Sequence, residues 1–142
     1  MRFWDSSAVV PLVVRQDGSP DAERWLAADR EVVTWTLTPV EVVSALRRLV
    51  RDGELPEKTA VDAEALAAEV LQRTHVISDV EHVKTRASRL LRLHSLRAAD
   101  ALQLGAALAW ADGQPSGLVI HTFDRRLALA AEREGFRVIS AG

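Results

Sequence analysis

Short apolar runs recur along the chain, separated by longer stretches whose apolar residues return at helical spacing. Arg2 to Trp4, Glu31 to Trp35 with Val32 and Val33, His75 to Ile77, Leu118 to His121 and Phe136 to Ile139 read as strands. Between and after them, Ser6 to Val14, Asp21 to Ala28, Pro39 to Arg51, Glu57 to Arg73, Val80 to Leu93, Ala98 to Ala111 and Arg125 to Glu134 read as helices. Thr38 is the expected N-cap of the third helix, with Pro39 at its first helical position, and Gly135 stops the last one. Strands alternating with helices imply a mostly parallel sheet, because a parallel connection needs a crossover and helices supply it. The expected class is α/β: three layers, with a central five-stranded sheet flanked by helices. In such sheets sites form beyond the carboxyl ends of the strands.

No repeat, linker or low-complexity segment interrupts this pattern, and 142 residues with 48% hydrophobic content suit one domain spanning 1–142. The richest apolar stretch, Ala98 to Ala111, is broken by Asp100 and Gln103 and falls short of the roughly 20 residues of a membrane span. The start, MRFWDSSAVV, lacks the cationic opening and cleavage site of a secretory signal, so a cytoplasmic location without membrane contact is expected. The absence of cysteine excludes disulfides, thiolate metal sites and cysteine nucleophiles. With 18 basic and 20 acidic residues, the formal charge of −2 is not the footprint of a protein that coats nucleic acid, so any such contact must be local.

Four acids change the picture. Asp5 directly follows the first strand and Asp124 follows the run Leu118 to Ile120, so both belong at strand carboxyl ends. Asp100 opens a helix so apolar that it should be buried nearly all round, and Glu41 lies among Val40, Val42, Val43, Ala45 and Leu46. An ionised carboxylate in such surroundings requires a cation, a metal or a proton. Singly, each acid is explained as a helix cap or as a first-turn acid favoured by the helix dipole. Together, at helix starts and strand ends, they point to one shared cation. Oxygen ligands without Cys favour Mg²⁺, with Mn²⁺ as its substitute, and one or two such ions activate water for attack on phosphorus.

The segments FWDSSAVVPL, TPVEVVSAL, LRAADALQLGAAL and HTFDRRLALAAEREGFRVI, in that order, resemble PIN-domain ribonucleases, most closely the VapC-type toxins of bacterial toxin–antitoxin pairs. The resemblance spans almost the full chain. It implies that Asp5, Glu41, Asp100 and Asp124 are catalytic metal ligands, directly or through water, with Ser6 and Thr122 in support. It also implies cleavage of single-stranded or looped RNA to a 5′-phosphate and a 3′-hydroxyl, a homodimer, and an antitoxin protein whose C-terminal segment enters the active-site groove.

Arg125 and Arg126 adjoin Asp124 and are candidates for RNA or antitoxin contact. Arg86, Arg89 and Arg92 recur along one helix, with Arg97 beyond, as a possible phosphate track set against a simple solvated face. Arg47, Arg48 and Arg51 carry a weaker claim. Trp4, Trp25, Trp35 and Trp110 suit core packing better than base stacking, and of the scattered histidines only His121 adjoins the acids. The competing function is a non-catalytic PIN-fold module whose acidic pocket binds a basic peptide. Phosphoryl-transfer proteins of the receiver or haloacid-dehalogenase kind fit poorly. Neither Lys58 nor Lys84 follows a strand, and no second acid stands two residues after Asp5.

Overall fold

The computed structural model describes residues 1–140. Its elements are β1 (Arg2–Trp4), α1 (Ser6–Val13), α2 (Ser19–Ala28), β2 (Val32–Trp35), α3 (Thr38–Arg51), α4 (Glu57–Leu71), β3 (His75–Ile77), α5 (Val80–Leu93), α6 (Ala98–Trp110), β4 (Val119–His121), α7 (Arg125–Glu134) and β5 (Arg137–Ile139). Each strand and helix read from the sequence is present, with ends displaced by a residue or two. Two helices begin earlier than read: α3 at Thr38, and α2 at Ser19 because Pro20 is accommodated in its first turn.

The sheet runs in the order β3-β2-β1-β4-β5 and every pairing is parallel. The chain winds from β1 outward through β2 to β3, then returns across the sheet to place β4 on the other side of β1. The β1–β4 junction is therefore the switch point, where connections leave toward opposite faces and a crevice opens. Phe3 of β1 is in register with Ile120 of β4, and Trp4 with His121, so Asp5 and Thr122 emerge side by side.

Side chains alternate across the strands. Phe3, Val33 and Ile120 join Leu90, Leu104, Ala107 and Leu127 in a core beneath α5, α6 and α7. Trp4 and Val32 join Val9, Trp25, Val42, Leu46 and Ala67 beneath α1 to α4. Burial on both faces explains why the central strands β1, β2 and β4 read as continuous apolar runs. No helix among the described residues is long and apolar enough to cross a membrane.

Thr38 does not cap α3. The cap position is Leu37, and Thr38 lies inside the first turn with its hydroxyl turned into the core. There the oxygen accepts from Trp35 N–H at 3.3 Å and from the Gln103 side-chain amide at 3.1 Å. Gly135 ends α7 as read, in the left-handed conformation at φ 109° that glycine adopts without strain.

Candidate active site

Asp5 is the N-cap of α1 and 3% exposed. Its Oδ1 accepts from Ser7 N–H at 2.5 Å, Ser7 Oγ at 2.7 Å and Ala8 N–H at 3.2 Å. Its Oδ2 accepts from Thr122 Oγ1 at 2.5 Å. Thr122 and Ser7 in turn accept the backbone N–H groups of Asp124 at 3.0 Å and Phe123 at 2.9 Å, which locks the turn after β4 to the start of α1. The hydroxyl that bonds Asp5 beside Thr122's is thus that of Ser7, while Ser6 faces the neighbouring cavity. Spacing alone does not separate the two serines. Ser7 reaches back because the N–H at that position points at the capping carboxylate.

Glu41, Asp100 and Asp124 line one cavity of about 560 Å³, together with Ser6, Ser7 and Ser44. Asp124 caps α7, accepting from Leu127 N–H at 2.9 Å. The cap reading and the rim reading of Asp5 and Asp124 therefore describe the same geometry. Asp100 is half-buried rather than enclosed, because the first turn of α6 emerges from the core and leaves Ala98 and Ala99 exposed. Glu41 is likewise less enclosed than its apolar neighbours imply: Val40, beside it, is 66% exposed. The Gln103 side chain, 1% exposed, donates to Glu41 Oε2. That contact joins residues 62 apart in sequence, and the sequence pattern shows Gln103 only as an interruption in an apolar helix.

Asp5, Glu41 and Asp100 resist ionisation. Burial pushes Asp5 up to about 6, against the hydrogen bonds from Thr122, Ser7 and Ala8. Burial lifts Glu41 to about 7, opposed by the Gln103 amide and reinforced by the charges of Asp5 and Asp100. Asp100 is raised by burial and by Asp124, with Arg97 and Arg126 pulling the other way. The electrostatic coupling of Glu41 to Asp5 and Asp100, and of Asp100 to Asp124, makes the four one charge system.

Arg48, Arg97, Arg125 and Arg126 also line this cavity. None of them is in an ion pair among the described residues, whereas Arg15, Arg24, Arg47 and Arg89 are each paired with a carboxylate. The arginines read as a phosphate track along α5 lie outside this cavity. Arg89 is held by Glu134 of α7 at 2.8 Å, and Arg86 donates to His82 at 2.7 Å; neither lines the cavity. Helical spacing aligns these side chains with each other, but not with the switch point.

His121 is fully buried behind Asp5, stacked on Trp25 at 4.5 Å and edge-on to Trp4 at 4.9 Å. Arg2 can only donate, so Nε2, 3.3 Å from its guanidinium, is the acceptor and Nδ1–H faces the Ile139 carbonyl at 3.3 Å. Burial keeps this imidazole neutral, lowering it to about 4. Trp4, Trp25 and Trp35 are core residues, as their apolar placement implies.

The donor set offers only oxygen, and three of its acids are raised toward neutrality, a conflict that a hard divalent cation relieves. Among the described residues, no three acidic or imidazole side chains stand close enough to enclose an ion as they are. A cation whose shell is completed by water and substrate oxygens, as that of Mg²⁺ commonly is, suits such a loose set.

A parallel sheet of this order with acids at its switch point defines a class. The chain belongs to the PIN-domain family, whose model matches residues 2–133. Within that family it groups with the VapC ribonucleases. It is 35% identical to Ribonuclease VapC45 and Ribonuclease VapC49 of Mycobacterium tuberculosis over 140 residues, 98% of this chain and 94% of each relative. The fold is also that of Mycobacterium tuberculosis VapC20, described as a sarcin-ricin loop cleaving toxin. The TM-score is 0.66 at 20% identity, covering 92% of this chain and 95% of that one.

Proposed function

We propose that this chain is a metal-dependent endoribonuclease that acts as the toxin of a toxin–antitoxin pair, with Mg²⁺ as its ion and Mn²⁺ as a substitute. The observation that carries the reading is the cavity at the β1–β4 switch point, walled by Glu41, Asp100 and Asp124 with Asp5 directly behind. Kinship with the VapC ribonucleases supports RNA as substrate. It also supports an antitoxin protein as partner, a cytoplasmic place of action and assembly as a homodimer.

Asp5, Glu41, Asp100 and Asp124 would hold the cation, which supplies charge neutralisation and lowers the pKa of water for attack on the phosphodiester. The chain's own groups do the rest. Thr122 and Ser7 fix both oxygens of Asp5 in place. Arg48, Arg97, Arg125 and Arg126, in no ion pair among the described residues, draw the RNA backbone to the cavity, offsetting the repulsion between phosphates and acids.

The test is cleavage of mixed RNA by the purified chain with Mg²⁺, with Mn²⁺ and with chelator, beside Asp100→Asn. Cleavage that depends on the ion and is lost in Asp100→Asn supports the reading. RNA left intact by the parent under all three conditions sinks it.

A further inference from the structure

Gln103 is a polar residue in a helix segment that is otherwise core: its neighbours Ala101, Leu104, Gly105 and Ala106 are buried, and it is 1% exposed itself. A buried amide is costly unless its hydrogen-bonding groups are met. Here both amide hydrogens are committed, one to Thr38 Oγ1 at 3.1 Å and one to Glu41 Oε2. The amide oxygen has no partner among the described residues. An apolar side chain of similar length would fill the space without orphaning that oxygen, so packing does not account for the amide. Its two donor bonds do.

Glu41 needs such a partner. It lines the acid cavity on one side and an apolar groove formed by Trp35, Leu37, Val40, Ala99 and Leu102 on the other, so its carboxylate has room to swing either way. Among the described residues, Gln103 is the one hydrogen-bond partner of the Glu41 side chain. Gln103 is in turn anchored: Thr38 also accepts the N–H of Trp35 at the end of β2, which ties the amide to the sheet. Gln103 follows Asp100 by one helical turn on α6, so one helix carries both an acid of the cavity and the group that orients an acid from α3.

We infer that Gln103 is a positioning residue, whose side-chain amide fixes the Glu41 carboxylate between cavity and groove and so completes the cation-binding set. The inference rests on the metal-dependent reading of the cavity. A donor that orients a metal-binding carboxylate typically changes metal affinity or activity by about 10- to 100-fold when removed.

Gln103→Met keeps length and apolar bulk and removes the amide. Mn²⁺ binding measured by calorimetry should weaken by about 10- to 100-fold, and kcat on RNA should fall by a similar factor with KM unchanged. In a Glu41→Ala background, Gln103→Met should cost nothing further in Mn²⁺ affinity, since its effect passes through Glu41. A folded Gln103→Met chain that binds Mn²⁺ and turns over like the parent overturns the role, as do equal losses with and without Glu41. Should Gln103→Met fail to fold, the parent decides. The Gln103 side-chain amide resonances should shift along a Mg²⁺ titration, and resonances that stay fixed while Mg²⁺ binds overturn the role. Absence of Mn²⁺ binding in the parent overturns the metal reading and this inference together, whereas binding that is intact in Gln103→Met overturns this inference alone.

Discussion

Thr122 Oγ1 donates a 2.5 Å hydrogen bond to Asp5 Oδ2, joining the segment after β4 to the residue that follows β1. This bond crosses the switch point of the sheet and, with the bonds from Ser7 and Ala8, ties down both oxygens of one acid of the site. Thr122→Val keeps the shape and removes the donor. The expected outcome is a loss of about 10- to 100-fold in kcat with the fold intact, and near-parent activity in Thr122→Ser, which restores the hydroxyl. Steady-state kinetics on RNA with circular dichroism as the folding control measures it. A Thr122→Val chain as active as the parent would show that the bond is only structural.

Asp5 gives the metal-free chain a pH dependence of defined sign. Its carboxyl titrates near 3.8 when unperturbed and near 6 in the fold, so the folded state holds the proton more tightly. Its contribution to stability is complete below about pH 4 and is lost as pH rises through about 6. Asp5→Asn cannot ionise. Relative to the parent without metal, it should therefore gain on the order of 2–3 kcal/mol between pH 4 and pH 8. His121 and Glu134 titrate alike in both chains and cancel from the difference, whereas Glu41 loses the upward push of the Asp5 charge in Asp5→Asn and so adds to the gain in the same direction. Urea denaturation with chelator at the two pH values measures it, and a pH-independent difference would rule out the raised carboxyl.

The sequence carries the architecture because the central strands β1, β2 and β4 are buried on both faces: Val32, Val33 and Phe3 declare themselves as apolar runs whatever their partners. Asp5 and Asp124 are legible for a related reason, since a residue next to a strand end has a place fixed by the fold class. What the sequence hides are contacts made across the sheet order. Gln103 meets Glu41 only because α3 and α6 flank the same crevice, and Arg48 of α3 and Arg97 just before α6 reach the cavity from places far apart in sequence. Periodicity ranks the arginines of α5 together, but it has no means of showing that Glu134 holds Arg89 away from the site. Thr38 illustrates the same limit. Its type and position suit a cap, yet a tertiary acceptor role takes its hydroxyl.

Gly105 permits the close approach of α6 to α5, which sets the position of Asp100. A Cβ at this residue would lie 3.1 Å from the Val83 carbonyl oxygen and 3.3 Å from the Ala87 nitrogen, both backbone atoms that move only with the helix. Gly105→Val should destabilise the chain by about 1–3 kcal/mol through overpacking, outweighing any gain in helix propensity. The midpoint of chemical denaturation reads this directly. A midpoint equal to the parent's would mean that α5 gives way without cost.

The arginines provide a comparison in which the sequence reading and the geometry diverge. Arg126 lines the acid cavity and is in no ion pair among the described residues, while Arg89 is bonded to Glu134, itself mostly buried. A phosphate contact releases counterions, so removing one lowers the salt dependence of binding to single-stranded RNA by a slope of roughly 0.7. Arg126→Ala, and Arg48→Ala from the opposite helix, should therefore weaken binding and flatten the plot of log affinity against log salt by about that amount each. Arg89→Ala should leave the slope unchanged. Its cost should appear in stability, because Glu134 then loses one of its two partners and keeps only His94 at 2.6 Å. Binding measured across a salt series in an Asp100→Asn background, which separates binding from cleavage, distinguishes the three. A slope that falls for Arg89→Ala and stays constant for Arg126→Ala would return the RNA track to α5 and remove the arginine rim from the site.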